Sequence, residues 1–320
     1  MTNLSEFTFL SSDGKTQLHG MLWEPEGVAV RAVLQICHGV AEHIARYDGF
    51  ARALNEQGIV VAGHDHLGHG KSLPEGGTPV YFGQGSTWNT VVDDIYILHQ
   101  RLKQRYPDVP LCIMGHSMGS FLTRTYLIRY PGTVKAAVIM GTGWQPQALL
   151  AGAIPVCKWV CKHANAIAAV SGENATSELV TELAFGSYNK LFAPNRTKVD
   201  WLSADESNVD DYIADPLCGA DATVGLFRQM LHGIRFNQRQ SHLRQMDREM
   251  PVLFVAGDKD PVGSCGKGVR QTYDAFRAAG MRDCTLKLYP GLRHEILNEK
   301  AYTADITKNI EAWLLSRLEK

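Results

Sequence analysis

Polar and apolar residues alternate over residues 5–11 and again over 17–23, with Asp13-Gly14 between the two runs. A period of two on either side of a turn dipeptide predicts an antiparallel hairpin. Beyond Trp23 the rhythm changes. Residues 32–37 are apolar except for Gln35, which reads as a buried-type strand. Residues 42–57 show helical spacing ended by Gly58, and 59–62 read as the next strand. A long amphipathic helix over 88–106 stops at Pro107, a strand follows at 111–114, and a helix over 118–129 ends before Pro131. Another strand is expected at 134–140. Strands alternating with helices through short connections predict a mostly parallel sheet covered on both faces.

The alternation breaks at Thr142 and resumes at Pro251. The intervening residues are helix-rich, with Trp144, Pro155, Trp159, Trp201 and an apolar pattern over 226–236. A strand at 252–255, a helix at 267–279, a strand at 285–289 and a helix at 303–318 then complete the chain. The expected organisation is a core of residues 1–141 and 251–320, with an eight-stranded sheet. Residues 142–250 are inserted after the sixth strand as a helical cap over the strand ends. Open α/β sheets bind ligands at the carboxyl ends of their strands, so such a cap would cover the site.

Composition narrows the function classes. The formal net charge of −1, without a basic run, gives no field for tracking phosphates, so nucleic acid is not an expected partner. Seven cysteines are scattered and odd in number, and Cys37 and Cys112 fall in strand-like runs. That pattern predicts buried free thiols in a reducing cytoplasm. The polar start, residues 1–13, lacks a basic segment followed by an apolar core, so no secretory signal is expected. No apolar run is long enough to span a bilayer.

Candidate chemistry centres on Gly115-His116-Ser117-Met118-Gly119, fed by a predicted strand and left by a predicted helix. That context forces the serine onto a sharp turn, its hydroxyl exposed beside the N–H groups of a helix N-terminus. A serine hydroxyl needs a base to take its proton and a carboxylate to orient that base. His294 follows the last strand, and Gly257-Asp258-Lys259-Asp260-Pro261 follows the one before it. Asp260 is preferred as the acid, because the loop must extend past the strand before turning toward an imidazole. Asp258 is then a turn-stabilising residue. The expected oxyanion donors are the Met118 N–H and the Val40 N–H in the loop after Cys37, where His38 shapes the loop.

The series His38-Gly39-Val40-Ala41-Glu42-His43, Arg46-Tyr47, Asp65-His66-Leu67-Gly68-His69-Gly70-Lys71-Ser72 and Gly115-His116-Ser117-Met118-Gly119 resembles the monoacylglycerol lipase and lysophospholipase group of α/β-hydrolases. Gly257 to Asp260 and His294 match that group's acid and base positions. The resemblance implies hydrolysis of an acyl ester, a small-molecule substrate, through an acyl-serine intermediate, with no cofactor. Ala41 and Ser120 depart from it, standing where such lipases commonly carry glycine.

Rival readings are weaker. His64, His66 and His69 form H-x-H-x-x-H, but a zinc run of that type expects an aspartate where Gly68 stands. The expected role of Asp65 and these histidines is to knit their loop by hydrogen bonds, and no metal is expected. Gly70-Lys71-Ser72 lacks the earlier glycine of a phosphate-binding loop, since position 65 is Asp65. Cys157, Cys161 and His163 have no second ligand cluster and are expected to pack in the cap. Residues 148–170, with Lys158, Trp159 and Lys162, suit a pocket cover, with transient membrane-surface contact as the alternative. An aromatic-acid or short-chain esterase, a peptidase, an acyltransferase and a non-catalytic ligand-binding protein of the same fold remain open.

Overall fold

The computed structural model describes residues 1–146, 172–176 and 186–318. One sheet contains β1 (Thr2–Leu10), β2 (Gln17–Pro25), β3 (Ala32–Cys37), β4 (Ile59–His64), β5 (Leu111–His116), β6 (Ala137–Met140), β7 (Val252–Gly257) and β8 (Cys284–Tyr289). Their spatial order is β1-β2-β4-β3-β5-β6-β7-β8. The expected hairpin pairs Thr2 with Pro25 and Leu10 with Gln17. Its turn is tied by the Asp13 carboxylate, which accepts the N–H groups of Lys15 and Thr16. β2 runs antiparallel to β4, and the strands from β4 across to β8 are parallel.

The helices that frame the sheet are α1 (Asp48–Asn55), α2 (Trp88–Arg105), α3 (Met118–Arg129), α4 (Glu206–Ala214), α5 (Val224–Asn237), α6 (Lys267–Ala278) and α7 (Thr303–Leu318). Every residue of β3, β4, β5 and β7 is buried, as continuous apolar runs require when helices cover both faces. Alternate side chains go to opposite layers. Val33 and Cys37 join the core shared with α2, α3 and α6, whereas Leu34 and Ile36 join the core shared with α1 and α7.

Two expected elements differ in extent. The helix expected over 42–57 begins only at Asp48, after a single 3-10 turn at Ile44–Tyr47. The Asp65 carboxylate takes the Ile44 N–H and the Glu42 side chain turns back to the Gly39 N–H, so this stretch is shaped by distant partners. The strand expected over 134–140 is regular only from Ala137, which lies opposite Val252. Pro251 precedes that partner and has no N–H with which to extend the ladder. β5, by contrast, continues to His116, which brings the strand end directly to Ser117.

Between β6 and β7 the described residues include α4 and α5 with loops between them. α5 packs along α2 and α3, where Asn237 donates to the Phe121 carbonyl and accepts from the Thr125 hydroxyl, each at 2.8 Å. The element expected over 148–170, including Trp159, Cys157, Cys161 and His163, lies outside the described residues. Cys37 and Cys112 are buried free thiols, both pushed up to about 12 by burial. Among the described residues no helix is long and apolar enough to cross a membrane.

Candidate active site

Ser117 occupies the single residue between β5 and α3, at φ 54° and ψ −121°. A non-glycine residue at positive φ is strained and persists only where its surroundings impose it. Here they do. A Cβ on Gly115 would stand 2.2 Å from the Gly119 carbonyl oxygen, and one on Gly119 would stand 2.0 Å from that of Cys37. Only glycine on both sides lets strand, turn and helix close this tightly. The Ser117 N–H donates to the Met140 carbonyl at the end of β6, and the Ser120 hydroxyl donates to the Ser117 carbonyl.

The other expected residues converge at the same edge. His294 follows β8 and Asp260 follows β7, both essentially excluded from solvent. His294 Nδ1–H donates to Asp260 Oδ1 at 3.0 Å, which holds the proton on Nδ1 and leaves Nε2 as the basic nitrogen. Asp260 Oδ1 also accepts the Val262 N–H at 2.9 Å. Asp258 instead accepts the Gly291 N–H at 2.8 Å, which ties its loop to the one carrying His294. The rings of His116 and Trp201 flank His294, with centroids 4.7 and 5.1 Å away.

The loop after β3 lies against the serine, for a Cβ on Gly39 would come within 3.1 Å of Ser117 Cβ. His38 fastens it, donating from Nδ1 to the Gly39 carbonyl and accepting the His66 N–H at Nε2. Among the described residues the N–H groups of Val40 and Met118 meet no acceptor. Ala41 has φ 53°, a left-handed conformation that costs an L-residue about 1 kcal/mol.

A buried ionic network behind this loop was not apparent in the sequence as a unit. Glu42 accepts from Arg46, the Tyr47 hydroxyl, the Gly39 N–H and His116. Arg46 also forks onto both oxygens of Glu295 at 2.7 Å, and Asn208 donates to Glu295. Burial opposes the charge on Glu42, yet His116 and Arg46 hold its carboxyl well below the usual range. Burial likewise opposes charging His116, but Glu42 raises its pKa. Both ring nitrogens of His116 face acceptors, the Glu42 carboxylate and the His294 carbonyl, which suits the doubly protonated ring. A cavity of about 250 Å³ opens onto Glu42, Arg46, His116, Asn208 and Glu295, with Phe50, Met140 and Leu297 on its apolar side. The spacing of Glu42 and Arg46 is the one sequence signal for the network. Glu295 joins it only through the fold.

The histidine run behaves as a structural cluster. Burial pushes His64 and His69 down to about 3, and His66 well below its ordinary value. Their rings sit edge to face, with centroids 5.1 Å apart for His64 and His66 and 6.5 Å for His66 and His69. The loop is knitted mainly by Asp65, which accepts the N–H groups of Ile44 and Lys71 and a His19 ring N–H. Among the described residues, the side chains close enough to share an ion are instead His43, Asp215 and Cys218, with ligand atoms within 4.8 Å. Two of these already form a His43–Asp215 pair at 2.8 Å.

Comparison with known proteins agrees with this architecture. The family described as "Serine aminopeptidase, S33" matches residues 28–301. A monoacylglycerol lipase from Mycolicibacterium smegmatis is 31% identical over 319 residues, covering 98% of each chain. A monoglyceride lipase from Mus musculus is 28% identical, covering 97% of this chain and 90% of its own. Among solved structures, a thermostable carboxyl esterase from Bacillus coagulans in complex with glycerol superposes with a TM-score of 0.90 at 26% identity, covering 99% of this chain and 100% of its own.

Proposed function

Because the chain belongs to the serine aminopeptidase S33 family and has the α/β-hydrolase fold, we propose that it is a serine carboxylic ester hydrolase acting on monoacylglycerol-type esters. The observation that carries this reading is that the strained Ser117 turn and the His294–Asp260 pair follow parallel strands at the same end of one sheet. The lipase names of the relatives support the substrate class.

In this mechanism His294 Nε2 takes the proton from Ser117 Oγ as the oxygen attacks the ester carbonyl. The developing oxyanion accepts hydrogen bonds from the Val40 and Met118 N–H groups, at the N-terminus of α3. Asp260 keeps the imidazole in the correct tautomer and stabilises its charged form. As the tetrahedral intermediate collapses, His294 gives the proton to the departing alcohol and leaves an acyl group on Ser117. Water, activated by the same imidazole, then releases the acid. Trp201, from the described part of the segment between β6 and β7, stands against the His294 ring. We assign the reaction to the cytoplasm, where the buried thiols of Cys37 and Cys112 stay reduced.

The test is kcat/KM over glycerol monoesters of increasing acyl length, with Ser117→Ala as the blank. A rise toward long chains is expected, each buried CH₂ contributing up to about 0.8 kcal/mol. A maximum at short chains or aromatic acids, with Ser117 still required, would redirect the substrate and keep the chemistry. Activity that survives Ser117→Ala would overturn both.

A further inference from the structure

We propose that Tyr212 is a positioning residue for the oxyanion hole, holding the Ala41 carbonyl and through it the Val40 N–H. On this account the segment between β6 and β7 sets turnover as well as covering the site. The proposal rests on the serine-hydrolase reading above.

The Ala41 carbonyl receives two hydrogen bonds, from the Tyr212 hydroxyl and from the Gly219 N–H, each at 3.0 Å. Both donors come from α4 and the loop that follows it, far away in sequence. Two residues beyond Ala41, His43 Nε2 meets the Asp215 carboxylate of the same loop at 2.8 Å, a third attachment. Ala41 is the strained residue of the oxyanion loop, at φ 53°, and such a conformation persists only where the surroundings hold the chain on either side of it. From the other side Glu42 grips the Gly39 N–H. His38 holds the Gly39 carbonyl, in the same peptide as the Val40 N–H, and Tyr212 and Gly219 hold the peptide after Ala41, so only the torsions of Val40 and Ala41 lie between two fixed planar peptides.

Tyr212 is itself rigidly placed. Its ring lies under the Arg46 guanidinium, 5.0 Å from ring centroid to cation, and Arg46 is bonded to Glu42 and Glu295. The hydroxyl therefore links the cap segment, the ionic network and the oxyanion loop.

The experiment uses the full chain carrying Tyr212→Phe, which removes one oxygen. Three quantities are measured: kcat and KM on a monoester, and the affinity of a trifluoromethyl ketone, whose adduct with serine places an oxyanion in the hole. The expected result is a fall in kcat on the order of tenfold, with KM within about twofold and a matching loss of ketone affinity. Asp215→Asn, which weakens the neighbouring attachment, is expected to repeat the split more weakly, and it carries the test alone if Tyr212→Phe does not fold. Unchanged kcat and ketone affinity in a folded variant would overturn the proposal alone. So would a loss confined to KM, because that describes a segment that only covers the site. A wild-type protein that neither turns over monoesters nor binds the ketone overturns the hydrolase reading, and this proposal with it.

Discussion

Ser117 and Ala41 are both non-glycine residues at positive φ, at 54° and 53°, on the two sides of the proposed oxyanion hole, yet they are held by different means. The serine turn is framed by its own strand and helix and by the adjoining strands β3 and β6. Gly115 and Gly119 permit a close approach that no other residue could make, and a strand and a helix fix the chain at either end. The Ala41 loop has no such frame. It is held by side chains and backbone groups distant in sequence, among them Tyr212, Gly219, Asp215 and His66. Half of the proposed site is therefore a property of one short motif. The other half depends on the whole molecule, and perturbations far from the serine should act through it.

The largest effect is expected from Ser117→Ala. It should lower kcat by about 10⁴–10⁶-fold while leaving the melting temperature near the wild-type value, since the local frame remains. Asp260→Asn should cost on the order of 10⁴-fold by offering His294 Nδ1 the wrong partner. Asp258→Asn, which only weakens a tie to Gly291, should cost less than about tenfold. Reversal of the two aspartates in steady-state rates would break the assignment of the acid.

The loop half predicts effects on stability and on its pH dependence. Glu42→Gln should destabilise the fold by about 3 kcal/mol in chemical denaturation, because it leaves the charge of His116 buried against a weaker partner. The signs follow from the two shifts. The raised pKa of His116 contributes stability that is fully present below its unfolded value, near 6.5, and is lost as pH rises through the folded value. The lowered pKa of Glu42 contributes stability present above its unfolded value, near 4.5, and lost as pH falls through the folded value. His116→Gln should therefore flatten the decline in stability above pH 6.5. An unchanged slope would mean that His116 is not charged in the folded protein.

The smallest effect is expected at Ala41→Gly. Relief of about 1 kcal/mol of strain is nearly offset by the greater freedom of glycine in the unfolded chain. The melting temperature should stay within about 3 °C for a chain of this size. A large gain in stability would sharpen the comparison by showing that more strain is stored in the loop than one left-handed alanine accounts for.

The polarity pattern by itself determined the hairpin and the parallel strands, and with them which loops fall at one edge of the sheet. Period and turn chemistry are local, and the ends of parallel strands are the places where loops can meet. The motif around Ser117 was equally legible, because its glycines are needed wherever a strand, a sharp turn and a helix close this tightly, although the carbonyl that Gly119 approaches is that of Cys37 on the neighbouring strand. Tertiary structure decided the rest. The helix predicted from residue 42 starts at Asp48 because the Asp65 carboxylate, twenty-one residues on from Ile44, takes the Ile44 N–H. Glu42, Arg46, His116 and Glu295 become one network, and Tyr212 reaches Ala41, only once distant segments are packed together. Buried polar groups must find partners wherever the fold brings them, and a linear pattern of polarity does not encode which partner that is.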